Sequence, residues 1–320
     1  PIVMADSSLE DIWRPENDGG NFHGPTRLRW ALTKSRNLVS IRLLQQLGTQ
    51  KFIEAAGRYG FDTSDFAPDL SLALGTHAMS PLEVATGFAM LANGGYRVEP
   101  YLIARVDDIN GETIHRARPL TVCRECERQP QPEGAATELS MDEILAQSQA
   151  DEERPPAAPR VMDEQVNFIL NSILQDVIKR GTGRRAMALE RHDLAGKTGT
   201  TNGPMDAWFS GYNPDLVTTT WVGFDNYTPL GRREFGGTAA LPVWIEYMGE
   251  ALAGKPERER PLPTGIVHVK IDPETGLLAG SRQKGAIFEY FREAHVPLES
   301  AMPDDAAPGD TTGDLLRDIF

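Results

Sequence analysis

Apolar residues repeat every three or four positions in five segments of the chain, which is the spacing of one face of an α-helix. The clearest is residues 163–180, which ends at Gly181. Another starts at Ser80-Pro81-Leu82-Glu83, where a capping hydroxyl, an early proline and a glutamate at the third helical position favour a helix N-terminus. The predicted helices cover residues 37–47, 49–59, 81–93, 163–180 and 244–252.

Strand-like segments lie mainly in the second half of the chain. A segment around Lys197-Thr198-Gly199 is followed by an Asn202-Gly203-Pro204 turn and by two β-rich runs, Ala207–Tyr212 and Val217–Phe224. This order predicts one strand, a turn and a two-stranded hairpin. Asn110-Gly111 predicts a second hairpin, and a short strand is expected at Gly265–Ile271. Residues 1–33 are rich in loop-forming residues and predict little regular structure.

The acidity of the chain is concentrated in two segments. The net charge is −14 over 320 residues, and residues 119–160 and 294–320 each contribute −5. The first of these also holds six prolines and no apolar stripe, so we expect a flexible insert at about 119–160. We expect residues 286–320 to be a largely disordered extension. No basic stripe is present, which argues against a nucleic-acid partner.

Cys123 and Cys126 are the only cysteines in the chain. A zinc site would need two further ligands at suitable spacing, and a redox site would need a strand-to-helix context. A local disulfide or a pair of inert thiols fits this position better. The sequence therefore predicts no metal and no cofactor.

Two short motifs stand in an informative order. Ser35-Arg36-Asn37 precedes a predicted helix, and Lys197-Thr198-Gly199 lies far downstream on a predicted strand. Ser-x-Asn followed by Lys-Thr-Gly is two thirds of the signature of serine β-lactamases and penicillin-binding proteins. The blocks that extend this match are Thr33-Lys34-Ser35-Arg36-Asn37, Ser80-Pro81-Leu82-Glu83, Leu91-Ala92-Asn93-Gly94-Gly95, Gly181-Thr182-Gly183-Arg184-Arg185 and Asp206-Ala207-Trp208-Phe209-Ser210-Gly211-Tyr212.

With these blocks in order, the chain resembles the later part of the transpeptidase domain of class A penicillin-binding proteins, of the 1A type. The resemblance covers most of the chain and weakens in 119–160 and after about 285. It implies the serine β-lactamase/transpeptidase α/β fold, with an antiparallel sheet and helices on both faces. It also implies a transpeptidase domain at 1–285 whose N-terminal part is missing.

The resemblance implies roles for seven residues in acyl transfer from a D-alanyl-D-alanine peptide. Ser35 would relay protons, although its position also fits a helix N-cap. Asn37 would bind the substrate's backbone amide, or would be a simple turn residue. Lys197 would supply positive charge beside the reacting serine. The remaining substrate-binding candidates are Thr198, Gly199, Thr200 and Thr182; the last also fits a helix C-cap turn.

The sequence departs from the family pattern at the third motif of the signature, Ser-x-x-Lys. Of thirteen serines, only Ser281 has a lysine three residues on, at Lys284, and this pair follows the Lys-Thr-Gly motif instead of preceding Ser-x-Asn. It also lacks an apolar helix that would bury the lysine and lower its pKa. We therefore expect the chain to begin after its nucleophile and to be inactive alone.

The implied protein is a peptidoglycan D,D-transpeptidase, bifunctional with a glycosyltransferase. Its partners would be stem peptides with a D-Ala-D-Ala donor and an amine acceptor, β-lactam antibiotics and other cell-wall synthesis proteins. It would face the periplasm from the inner membrane, with an anchor outside these 320 residues. The alternatives are a D,D-carboxypeptidase or β-lactamase-like hydrolase, and a non-catalytic binding scaffold.

Overall fold

The computed structural model describes residues 4–5, 12–127, 155–280 and 282–301. Its centre is a three-stranded antiparallel sheet of β5 (Ala195–Thr200), β6 (Asp206–Tyr212) and β7 (Val217–Gly223), in the order β5-β6-β7. These are the strand and hairpin predicted from the sequence. β5 is the edge strand of this sheet, and it carries the Lys-Thr-Gly motif.

Helices cover both faces of the sheet, as the predicted fold requires. On one face, Phe209 of β6 packs edge-on against Trp244 of the helix Leu241–Ala251, and both side chains are fully buried. On the other face, Ala195 and Tyr212 share a core cluster with Leu174 and Val177 of the helix Glu164–Arg180. Because neighbouring residues on a strand point to opposite faces, β6 can serve both cores.

The described part of the chain contains six α-helices. α1 is Leu28–Thr33, α2 is Asn37–Leu47, α3 is Thr49–Arg58, α4 is Pro81–Asn93, α5 is Glu164–Arg180 and α6 is Leu241–Ala251. α4 begins with the predicted capping box, in which the Glu83 N–H donates to the Ser80 hydroxyl and Glu83 accepts from the Ser80 backbone. Short 3-10 helices occur at Leu70–Leu74, Arg184–Leu189 and Glu293–His295.

The prediction of little regular structure before residue 34 was wrong in part. Met4–Ala5 (β1) pairs with Ile12–Trp13 (β2), and Leu28–Thr33 forms α1. The sequence of α1 lacks the repeating apolar spacing from which a helix could have been predicted. The helix is held by tertiary ion pairs, since Arg29 bridges Asp176 of α5 and Glu289 near the C-terminus.

The predicted hairpin at Asn110-Gly111 is present. β3 (Arg105–Asp107) pairs antiparallel with β4 (Thr113–Arg116), and all seven residues are exposed or nearly so. Gly111 has a φ of +84°, a conformation that glycine adopts without the steric cost other residues meet.

The expectation of a disordered extension from residue 286 was wrong for residues 286–301. β9 (Ile287–Arg292) pairs antiparallel with β8 (Ile266–Ile271), so a domain boundary at 285 would cut through a hairpin. Glu289 of β9 also binds Arg27 and Arg29, which anchors the hairpin to α1. Residues 302–320 lie outside the described residues.

The two ends of the predicted insert at 119–160 are also structured, contrary to expectation. Thr121 forms a parallel bridge with Ala157, and Tyr96 forms an antiparallel bridge with Arg160. Arg160 also pairs with Glu127 at 2.9 Å, while a disulfide joins Cys123 and Cys126. Each end alone carries only a weak sequence signal for regular structure. The two ends are ordered because they pair with each other and with neighbouring segments. Residues 128–154 lie outside the described residues.

Over the described ranges, no helix is both long enough and apolar enough to cross a membrane.

Candidate active site

Ser35 occupies the turn between α1 and α2. Its backbone φ is +52°, which is uncommon for any residue other than glycine. The N-cap of α2 is Arg36, whose own side chain makes no capping hydrogen bond. The interpretation of Ser35 as a helix N-cap was therefore wrong. Its Oγ instead accepts a hydrogen bond from Lys197 Nζ at 2.7 Å.

Lys197 reaches Ser35 from the middle of β5. Its Nζ donates to Ser35 Oγ and also to the carbonyl oxygen of Thr198, at 2.8 Å. The described surroundings place no carboxylate against this ammonium group. Burial removes water from the charged form and lowers the pKa of Lys197 to about 8. A lysine in this condition carries positive charge at neutral pH and can release its proton more readily than an exposed one.

Thr182 and Thr198 form a hydroxyl pair beside Lys197. Their Oγ atoms are 2.7 Å apart, and either can be the donor. Thr182 follows Gly181, the C-cap residue of α5, so this segment forms the helix C-cap turn that was the alternative interpretation. One hydroxyl proton of the pair is used between the two threonines. The other is left to donate to a bound group.

Thr200 ends β5 and is exposed. Its Oγ1 accepts a hydrogen bond from the backbone N–H of Gly236 at 3.0 Å. Because that bond uses a lone pair, the hydroxyl proton of Thr200 is free to donate elsewhere. Thr198 and Thr200 can therefore offer hydroxyl donors along the same open strand edge.

Gly236 is a residue of this site that sequence reasoning missed. It begins a π-helical turn at Gly236–Ala240, a rare element that often occurs at functional sites. A Cβ at Gly236 would lie 2.4 Å from the Gly199 oxygen and 2.3 Å from the Trp208 oxygen, so only glycine fits here. The Gly236-Gly237 pair was the available signal in the sequence.

Gly199 and Asn37 are the two remaining predicted residues. A Cβ at Gly199 would lie 3.1 Å from Trp208 Cβ, so close strand packing is one reason for glycine at this position. Asn37 lies in the first turn of α2, and its Nδ2 donates to the Glu16 oxygen at 2.9 Å. This bond orients the Asn37 amide and leaves its Oδ1 as the acceptor for a ligand N–H.

The structure therefore brings Ser35, Lys197, Thr198 and Thr182 into contact, and it places Thr200 at the end of the same strand. Asp206 and Tyr212 act as sheet support: Trp221 Nε1 donates to Asp206, and the Tyr212 hydroxyl donates to Asn171. Among the described residues, no cluster of metal-ligating side chains is found. Ser281, of the single Ser-x-x-Lys match, lies outside the described residues.

An edge strand bearing Lys-Thr-Gly, facing a Ser-x-Asn turn, defines the class of serine acyl-transfer domains that react with penicillin. Residues 6–243 match the family described as the penicillin binding protein transpeptidase domain. The chain belongs to this family.

Its relatives identify the branch of the family. The chain is 46% identical to penicillin-binding protein 1A of Pseudomonas aeruginosa, over 97% of this chain and 39% of that protein. It is 37% identical to penicillin-binding protein 1A of Vibrio cholerae, over 93% of this chain and 38% of that protein. The resemblance to the 1A type is confirmed. The chain spans less than two fifths of the length of these two relatives.

Solved structures agree on the fold. The crystal structure of penicillin-binding protein 1A from Haemophilus influenzae matches with a TM-score of 0.81 and 37% identity, covering 94% of this chain and 45% of that one. PonA1 of Mycobacterium tuberculosis in complex with penicillin V matches with a TM-score of 0.58 at 22% identity, over 78% of this chain and 62% of that chain. The second likeness supports the fold alone.

Proposed function

We propose that this chain carries the Ser-x-Asn and Lys-Thr-Gly parts of a peptidoglycan D,D-transpeptidase site. The reaction joins stem peptides through a serine acyl-enzyme. The observation that carries the proposal is the 2.7 Å hydrogen bond between Lys197 Nζ and Ser35 Oγ, which joins the two motifs across 162 residues. The nucleophile would come from a Ser-x-x-Lys segment that these 320 residues do not supply.

In this proposal Ser35 and Lys197 move protons. The Ser35 hydroxyl can accept a proton from one group and donate its own to another, so it can deliver a proton to the amine that leaves during acylation. Lys197 donates to the same oxygen. Its charge stabilises negative charge that develops on the hydroxyl oxygen as the proton leaves. A pKa near 8 allows this lysine to exchange protons with the relay near neutral pH.

Substrate binding is assigned to the open edge of β5. An extended peptide can add to an exposed strand edge through main-chain hydrogen bonds. The terminal carboxylate of the donor peptide would accept from the Thr198 and Thr200 hydroxyls, with Thr182 holding Thr198 in place. The Thr200 N–H would form half of the oxyanion hole, and Asn37 Oδ1 would accept from a substrate amide.

β-Lactams would bind as mimics of the D-Ala-D-Ala end. In support, structural relatives of this fold include PonA1 in complex with penicillin V and penicillin-binding protein A of Mycobacterium tuberculosis as an imipenem acyl-enzyme. We further propose a periplasm-facing location at the inner membrane and an association with other cell-wall synthesis proteins, because the chain resembles penicillin-binding protein 1A over 97% of its length.

Fluorescent penicillin tests the proposal. We expect the full-length gene product to be labelled covalently, and peptide mapping to place the label on a Ser-x-x-Lys serine outside these 320 residues. The 320-residue chain alone, shown to be folded by circular dichroism, should remain unlabelled. Label on Ser35 or Ser281, or a folded full-length product that takes no label, would contradict the proposal.

Product analysis then separates transpeptidase from hydrolase. The full-length product is incubated with a D-Ala-D-Ala pentapeptide donor and an amine acceptor. A cross-linked dimer is the expected result, whereas a trimmed monomer alone would support a carboxypeptidase. Neither product, in a protein that still reacts with penicillin, would favour a binding scaffold.

A further inference from the structure

Ser35 has a backbone conformation that its neighbours must maintain. A positive φ in a residue with a side chain costs free energy and persists only where the surrounding structure enforces it. Such conformations concentrate at functional sites.

One set of contacts fastens α1, the helix before Ser35, to α5. Arg29 Nη1 lies 3.0 Å from Asp176 Oδ2, and Arg29 Nη2 donates to Ser172 Oγ at 2.8 Å. Both partners belong to α5. These bonds set the side-by-side position of the two helices, but they lie several residues away from the turn itself.

Backbone hydrogen bonds from Ser35 N–H to the Leu32 oxygen and from Arg36 N–H to the Ala31 oxygen close the turn itself. Lys34, the residue before Ser35, adds a side-chain contact to another element. Its Nζ donates to the backbone oxygen of Arg180 at 2.5 Å and lies 4.8 Å from the centre of the Trp30 ring. Arg180 is the last residue of α5, and its carbonyl has no partner within the helix. A cation at a helix C-terminus is also favoured by the helix dipole.

The backbones of the two segments touch at the same place. A Cβ at Gly181 would lie 2.4 Å from the Thr33 oxygen, so the close approach of these two backbone segments requires glycine. The residue after Gly181 is Thr182, which binds Thr198, and the residue after Lys34 is Ser35, which binds Lys197. The Lys34–Arg180 contact therefore lies within two residues along the chain of both Ser35 and Thr182.

We propose that Lys34 is a positioning residue for acylation. Its ammonium group ties the Ser35 turn to the end of α5, and this contact keeps Ser35 Oγ on Lys197 Nζ. Lys34 touches neither the substrate nor the reacting atoms, and it acts through Ser35. The expected effect on the acylation rate rests on the proposed function. The expected effect on the Ser35–Lys197 hydrogen bond does not depend on that function.

The kinetic test compares Lys34→Met with Lys34→Arg in the full-length gene product, and it measures penicillin binding and the acylation rate constant separately. Methionine keeps the apolar stem and loses the donors. We expect the acylation rate constant to fall about 10- to 100-fold, because displacement of a catalytic group by about 1 Å can cost about 100-fold. Binding before acylation should change less than about 3-fold, and arginine should restore most of the rate. Lys51→Met, an exposed lysine on α3, is the matched control.

A structural role alone would lower the thermal midpoint of Lys34→Met but leave the acylation rate of the folded protein unchanged, and that result would overturn the proposal. A full-length wild type that takes no penicillin would refute the proposed function instead. In that case a crystal structure of the Lys34→Met chain decides the inference. Loss of the Ser35–Lys197 hydrogen bond supports it, and an unchanged bond at 2.7 Å refutes it. If Lys34→Met does not fold, Lys34→Gln, with a shorter donor, takes its place under the same criteria.

Discussion

Replacing Lys197 with methionine should separate stability from function in this protein. Methionine has similar length and no charge, so it removes the cost of placing an ammonium group in a poorly hydrated site. The pKa of Lys197 falls from 10.5 to about 8 because of burial. At about 1.4 kcal/mol per pH unit, this difference corresponds to at most about 3.5 kcal/mol, and to somewhat less for a side chain that water partly reaches.

The substitution also removes two hydrogen bonds, to Ser35 Oγ and to the Thr198 oxygen. Each contributes about 1 kcal/mol net. At pH 7 the two effects nearly cancel, and we expect Lys197→Met to be as stable as the wild type or more stable by about 1 kcal/mol. If Lys197 instead stabilised the fold, Lys197→Met would be less stable than the wild type.

The pH dependence gives the sharper prediction. The unfolded chain holds the Lys197 proton up to about pH 10.5, whereas the folded chain releases it at about pH 8. Between these values the unfolded state binds more protons, so wild-type stability rises with pH relative to the variant. The free energy of unfolding of Lys197→Met minus that of the wild type should therefore fall by about 2–3 kcal/mol between pH 7 and pH 10.5.

Urea unfolding of the 320-residue chain at pH 7, 9 and 10.5 measures this difference. Other titrating groups, including Tyr212, whose pKa is raised by burial, are common to both proteins and cancel. Lys51→Met controls for the loss of one positive charge at an exposed position. A stability difference that does not vary over this pH range would refute the argument that burial depresses the pKa of Lys197.

Two further predictions concern the site and its support. Ser35→Ala in the full-length gene product should slow penicillin acylation by about 100-fold or more, since a general acid–base group contributes about 10²–10⁴-fold. The control Ser40→Ala, one turn along α2, should leave the acylation rate unchanged. Equal acylation rates for the two variants would remove Ser35 from the relay. Glu289→Gln should lower the free energy of unfolding by about 1–3 kcal/mol, because Arg27 and Arg29 lose a part-buried carboxylate. In the same urea titration, Glu274→Gln at an exposed position should change the free energy of unfolding by less than about 0.5 kcal/mol. Equal effects of the two substitutions would show that this network does not anchor the C-terminal hairpin.

Local signals predicted most of the regular structure. The helix Glu164–Arg180 follows from its apolar stripe, and the start of α4 follows from its capping box. The Lys-Thr-Gly strand and its hairpin follow from turn residues and β-rich runs. These features depend on neighbours within a few positions, and sequence patterns report such interactions well.

The missed elements depend on long-range contacts. α1 and β9 are linked through Arg29 and Glu289, which are 260 residues apart and look like ordinary surface charges in the sequence. The ends of the insert likewise depend on Arg160 pairing with Glu127. Gly236 was missed because its role is set by the backbone of Gly199 on another element. The resemblance to a family supplied Ser35 and Thr182, which local chemistry alone left as capping residues.

The most direct test of the central claim is a crystal structure of the full-length gene product acylated by penicillin. We predict that the antibiotic's carboxylate accepts from the Thr198 and Thr200 hydroxyls, and that its acyl oxygen lies about 2.7–3.1 Å from the Thr200 backbone nitrogen. Ser35 Oγ should remain hydrogen-bonded to Lys197 Nζ. An acyl group bound away from the edge of β5, with no contact to these residues, would contradict the assignment of this site.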